Sequence, residues 1–246
     1  MMVVEPILQV DDLSQRFGGL MAVDNVRMRL APGELHCIIG PNGAGKSTLF
    51  NLISGAIQPT SGRVQFRGRD ITGLPVHTIA KLGIGRKFQV PSVFETLTVS
   101  ENLGVAALNK RLRPRDLVDR AAYRGAIDDT LGRVNLGDRA EVVAGALAHG
   151  EKQWLEIGMA LMTDPLLLLL DEPTAGMSAD ETHQTARLVR GLTDRLTILV
   201  IEHDMQFVRD IASRITVLHR GAVLREGTLA EIEADEIVRD VYLGRR

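Results

Sequence analysis

The stretch GPNGAGKST, residues 40–48, limits the folds open to this chain more than any other feature. It satisfies G-x-x-x-x-G-K-[ST], follows the strand-like run ELHCII and precedes an apolar helical run at 49–53. Such a loop must therefore join a strand to a helix. Gly40, Gly43 and Gly45 would supply dihedrals that other residues resist, so that successive backbone N–H groups curl round phosphate oxygens. Pro41, Asn42, Ala44 and Thr48 complete the loop. Lys46 would neutralise the β- and γ-phosphates, and Ser47 would ligate Mg²⁺.

The rest of the chain fits a strand-loop-helix core. Nearly continuous apolar runs at 36–40 (HCIIG), 166–171 (LLLLLD) and 196–202 (LTILVIE) suit strands buried on both faces of a mainly parallel sheet. The fold class expected is α/β. With 45% hydrophobic but only 4% aromatic residues, the core is aliphatic. RITVLHRGAVLREG predicts a late hairpin turning at Arg220 and Gly221, an antiparallel element at the sheet margin. From about 90 to 155 strand signals give way to charged helical stretches, so residues 1–246 are expected to form one domain with a helical subdomain inserted there. The basic cluster of Lys110, Arg111, Arg113 and Arg115 is followed at once by Asp116 and Asp119, as in a solvated loop, with contact to lipid headgroups or a partner the alternative.

A net charge of −2 offers no general attraction to nucleic acid, and the lone Cys37 excludes a disulfide framework or a several-thiolate zinc site. There is no run of 18 apolar residues, so any membrane role is expected to come through a partner.

Two further runs end strands in polar groups, where open α/β sheets place their ligands. LLLLLDEP delivers Asp171, suited to Mg²⁺, and Glu172, suited to orienting and polarising an attacking water. VIEHDM delivers His203, either a structural group or a phosphate sensor. Gln89 lies where the core hands over to the insertion, and its amide could contact Mg²⁺ or the water. In LAHGEKQWLEIG, residues 147–158, the apolar stripe Trp154, Ile157, Gly158, Leu161 and Met162 predicts a buried helix face. The first turn of that helix is expected to leave N–H groups free to hold an anion.

Taken in order, these segments resemble the ATP-binding subunit of ABC transporters, a P-loop NTPase core of mainly parallel sheet with antiparallel β elements and a helical subdomain. The match spans nearly the whole chain. The resemblance implies a sandwich of two ATPase subunits, each ATP lying between the phosphate loop of one and the signature segment of the other. Ala148, His149, Gly150 and Glu151 then stand in the place of that signature, facing the γ-phosphate of the opposite subunit's ATP. Phe17 would stack on adenine, Gln89 would be the Q-loop glutamine, acting in catalysis and touching Mg²⁺, Glu172 would be the catalytic acid and His203 the switch histidine. The family's signature serine is Ala148 here, one glycine is His149, the glutamine is Glu151, and the D-loop aspartate is Ser178. Loss of the serine hydroxyl is expected to weaken the site that this segment completes.

LAHGEKQWLEIGMAL, EPTAGMSADET, EHDMQFVRDIA and the ending VYLGRR are most similar to urea-type importers, a branch close to the branched-chain amino-acid importers. The implied partners are integral-membrane permease subunits, a second ATPase subunit and an extracytoplasmic solute-binding protein, with the chain on the cytoplasmic face of the membrane and no nucleic acid. An ABC ATPase acting on nucleic acid is expected to carry paired cassettes or basic extensions, which this sequence lacks. A non-transport ABC scaffold would be distinguished by lack of permease association, and a P-loop kinase or GTPase fits the signature-like segment least.

Overall fold

The computed structural model describes residues 5–87, 93–108 and 120–243. Its centre is a six-stranded sheet with the order β10-β9-β3-β8-β7-β6, formed by β3 (Leu35–Ile39), β6 (Ile84–Lys87), β7 (Leu167–Asp171), β8 (Thr197–Ile201), β9 (Arg214–His219) and β10 (Ala222–Gly227). All neighbours pair parallel except β9 and β10. The three apolar runs are β3, β7 and β8, each buried along its whole length.

Strand periodicity explains why these runs have no polar face. Cys37, Ile39, Leu168, Leu170, Ile198 and Val200 enter one hydrophobic core, while the alternate Ile38, Leu167, Leu169, Leu199 and Ile201 enter a second. The first core is covered by α3 (Val99–Leu108), α4 (Arg120–Arg133), α5 (His149–Leu161), α6 (Ala179–Leu192) and α7 (Met205–Ile211). The second is covered by α1 (Lys46–Ile53), α2 (Val76–Leu82) and an antiparallel sheet of order β2-β1-β4-β5. That sheet comprises β1 (Leu8–Phe17), β2 (Leu20–Leu30), β4 (Ser61–Phe66) and β5 (Arg69–Asp70). A short α8 (Leu229–Ala234) follows β10.

The late hairpin turns where expected, with Arg220 and Gly221 both at positive φ (48° and 86°) and His219 paired to Ala222. In α5, Trp154, Ile157 and Leu161 are buried, as is Met162 just after the helix, and Gly158 lets Leu103 of α3 approach closely. α5 continues past residue 155 to Leu161. The basic cluster at 110–115 lies outside the described residues.

Candidate nucleotide site

The phosphate loop leaves β3 and enters α1. Gly40 and Gly45 are obligatory for packing: a Cβ would fall 2.2 Å from the Leu218 carbonyl oxygen at Gly40, and 2.3 Å from that of Ala22 at Gly45. Gly43, at φ +78, has open space over it instead, which leaves the loop's backbone approachable. Asn42 and Ser47 are exposed, Pro41, Gly45 and Thr48 are half-buried, and Ala44 is buried. Lys46 is buried, its ammonium donating to the carbonyls of Gly40 (2.7 Å) and Pro41 (3.1 Å). Burial holds its pKa below the ordinary lysine value, against the pull of Glu172, Asp171 and Glu202. Those three carboxylates come from β7, β8 and the loops just beyond them, so the carboxyl ends of three adjacent strands converge on one lysine.

Asp171 ends β7 and is buried. Its Oδ2 lies 3.5 Å from Arg86, while Oδ1 has no hydrogen-bond partner among the described residues. Burial pushes its pKa up, Arg86 opposes that and Glu172 adds to it. An orphaned carboxylate oxygen in such a place fits a cation ligand. Among the described residues no three His, Cys, Asp or Glu side chains cluster to hold a metal by themselves. Asp171 and the exposed Ser47 therefore fit Mg²⁺, which keeps waters and takes substrate phosphate oxygens as its other ligands.

Glu172 occupies the left-handed region at φ +46, its N–H bonded to Ile201 O at 3.0 Å. Held there, it turns out of the β7 line, and its Oε1 lies 3.5 Å from Nδ1 of His203 beyond β8. Both expected residues thus meet, although separated in sequence, because β7 and β8 are neighbours.

Sequence reasoning missed Glu202. It is fully buried, and Oε1 accepts from Thr174 N (3.1 Å) and Oγ1 (2.5 Å) while Oε2 accepts from His203 N (2.9 Å) and Asp204 N (3.3 Å). One carboxylate thereby ties the loop carrying Glu172 to the loop carrying His203. Its signal was only an acid adjoining an apolar strand. Glu202→Gln presents an NH₂ to N–H donors on one side, and is expected to cost about 2 kcal/mol of stability; a chemical-denaturation midpoint unchanged from the parent would refute this brace.

The signature-like segment is held by contacts within its own chain. Ala148 is the N-cap of α5 and has no side chain to accept a bond; its N–H donates to Glu151 Oε2 at 2.9 Å, and Glu151 also pairs with Arg139 at 3.0 Å. His149 Nε2 donates to Ala175 O at 2.9 Å. At Gly150 a carboxylate of the same chain packs against the backbone: Glu181 Oε1 is so close that a Cβ on Gly150 would fall 2.5 Å from it, and Gly150 is a minor contributor, after the stronger bonds from Ser178, to holding the Glu181 carboxyl below its ordinary range. An anion therefore already sits at this helix end. Phe17 is 49% exposed at the tip of the β1–β2 hairpin, whose Ala22 abuts the phosphate loop. Gln89 lies outside the described residues.

Comparison with known proteins bears on this geometry. The family model described as ABC transporter matches residues 23–175. The chain is 40% identical to the high-affinity branched-chain amino acid transport ATP-binding protein BraF of Pseudomonas aeruginosa, over 97% of this chain and 98% of that one. It is similar to the crystal structure of the ADP conformation of MJ1267, an ATP-binding cassette of an ABC transporter, with a TM-score of 0.86 and 32% identity over 98% and 99% of the two chains. A dimeric structure of the bacterial ABC transporter cassette MJ0796 is similar with a TM-score of 0.79 and 27% identity over 90% and 98%.

Proposed function

Because this chain belongs to the ABC transporter family, as an ATPase whose hydrolysis of ATP is coupled to transport, we propose that it energises an importer of the branched-chain amino-acid type. Its end-to-end relation to a branched-chain amino-acid ATPase carries that reading and favours it over urea, which HGEKQW suggested. No helix among the described residues is long and apolar enough to cross a membrane. The chain acts at the cytoplasmic face, held there by permease subunits, with a solute-binding protein serving the system outside.

In this reading residues 1–246 form one ATPase domain with its helical subdomain at 90–155. Gly40, Gly43, Gly45 and the intervening loop cradle the phosphates of ATP, and Lys46 exchanges two carbonyls for phosphate oxygens. Ser47, Asp171 and Gln89 hold Mg²⁺, which neutralises charge on the β- and γ-oxygens. Glu172 orients and polarises the attacking water, His203 beside it senses the γ-phosphate, and Phe17 stacks on adenine. Ala148, His149, Gly150 and Glu151 close over the nucleotide of a second ATPase subunit.

The solute class is tested by reconstituting the chain with its permease and binding protein in vesicles and comparing ATP-dependent uptake of labelled leucine with that of urea. Leucine uptake supports the reading; uptake of urea alone reverses it.

Residues 88–103 are the docking surface for permease. Glu95→Lys is the clean probe, since Glu95 is exposed and pairs only with Lys152 among the ion pairs described, at 3.3 Å. Permease co-purification should fall while ATPase activity of the isolated chain stays within about twofold; retained assembly sinks the assignment. Glu101→Lys is a poorer probe because Glu101 accepts from Thr98 N (2.7 Å) and caps α3.

A further inference from the structure

Glu181, a residue outside the nucleotide machinery described above, closes the N-termini of two helices at once. Its Oε2 accepts from Ser178 N and Oγ, both at 2.8 Å, which caps α6. Its Oε1 lies against Gly150 in the first turn of α5. Each of these ends carries unsatisfied N–H groups and a partial positive charge, so a carboxylate between them is well placed.

Two more contacts hold the same junction. His149 Nε2 bonds to Ala175 O at 2.9 Å, and the buried Trp154 Nε1 donates to Thr185 Oγ1 of α6 at 2.8 Å. Gln153 is 2% exposed and its amide reaches toward His149 Nε2 at 3.4 Å; because that nitrogen donates to Ala175 O, the amide oxygen is the atom suited to face it.

We propose that Glu181 is a gate on the signature segment: in the single chain its carboxylate takes the place at Gly150 that the γ-phosphate of the opposite subunit's ATP must take, and closure of the dimer requires its release. The inference rests on the reading that α5 faces that phosphate. A phosphate drawn to this helix end would meet the Glu181 carboxylate packed against Gly150, and two anions at contact distance repel strongly, so phosphate and carboxylate compete for the place. Coupling follows from the other oxygen. Because the same carboxylate caps α6, its release loosens the segment from Ala175 to Ser178 when the signature is engaged, linking nucleotide capture to the loop that follows Glu172.

The test uses the full chain carrying Glu172→Gln, to slow hydrolysis, and measures the ATP concentration for half-maximal dimerisation by light scattering with Mg²⁺ present. Adding Glu181→Gln keeps the side chain's shape and an acceptor for Ser178 but removes the charge. That midpoint should fall about fivefold, with the affinity of the monomer for a fluorescent ATP analogue unchanged. Ser178→Ala is the control, since it weakens the α6 cap while leaving Glu181 at Gly150, and should shift the midpoint by less than about twofold. An unchanged or higher midpoint in Glu181→Gln overturns the gate, as does an equal shift in Ser178→Ala. If the parent stays monomeric at saturating ATP but the Glu181→Gln form dimerises, the gate is supported in its strongest form. If neither dimerises although both bind ATP, the gate is overturned while the ATPase reading stands; failure of both to bind ATP removes the reading beneath it as well.

Discussion

Replacing Glu172 by Gln is expected to lower steady-state ATP hydrolysis by about 10²–10⁴-fold while ATP binding persists. The side chain is directed by backbone geometry: φ of +46° and the N–H bond to Ile201 O do not depend on its charge. Gln keeps the volume and a carbonyl acceptor near His203, but lacks the carboxylate to which the proposed mechanism assigns polarisation of water. Phosphate release in parallel with fluorescent-nucleotide titration separates the two effects. A rate within about threefold of the parent would move the catalytic role elsewhere, with His203 the next group to examine.

Lys46→Met is the second large effect, and it has opposite signs for binding and folding. The ammonium is buried, and burial already lowers its pKa, so the charged form is held at a cost that Asp171, Glu172 and Glu202 offset only in part. An unbranched apolar chain of similar length removes that cost. The nucleotide-free variant should therefore melt at or above the parent's temperature, while ATP affinity falls about 100-fold through loss of the phosphate contact. At an ATP concentration about 100 times the parent Kd, the parent gains about 2.7 kcal/mol from the ligand and the variant less than about 0.5. Differential scanning fluorimetry with and without ATP reads both. A ligand-induced shift retained in Lys46→Met would mean that the ammonium stays on Gly40 and Pro41 and never reaches phosphate.

The pH dependence of Mg²⁺ binding follows from Asp171. Its pKa is raised in the fold, so the ionised form that a cation requires is lost at a higher pH than for an ordinary aspartate. Mg²⁺ affinity should begin to weaken as pH falls toward that raised range, whereas Asp171→Asn should bind weakly and without this dependence; calorimetric titration with Mg²⁺ and ATP across mildly acidic pH distinguishes them. For folding the sign is reversed from the usual acid loss. A carboxyl with a raised folded pKa costs stability when ionised, and the cost is relieved on protonation.

Much of the core was legible because one physical rule governs it. A parallel strand buried on both faces must be apolar at every position, and β3, β7 and β8 are marked that way in the sequence. The phosphate loop was legible for a related reason. Only glycine tolerates the contacts that Gly40 and Gly45 make with the carbonyls of Leu218 and Ala22, and the lysine and serine follow at fixed spacing. The antiparallel sheet over the second core was harder to read, since β1 carries a non-glycine residue, Asp12, at φ +47° and pairs with register shifts that break its alternation.

The sequence by itself determined which polar residues sit at the carboxyl ends of the apolar runs, Asp171, Glu172 and His203, and that Lys46 opens the helix after the glycine loop. Only the tertiary structure decided which of them meet. Strand order is set by helix packing and crossover connections, which no local pattern encodes, and it inserts β8 between β3 and β7 so that His203 reaches Glu172 and Glu202 ties their loops. The same holds for α5. Its apolar stripe, its missing side-chain cap at Ala148 and the Glu151 that accepts from Ala148 N are written in the chain, but the Glu181 carboxylate against Gly150 belongs to α6, and contact between residues so distant in sequence exists only once both helices have packed on the sheet.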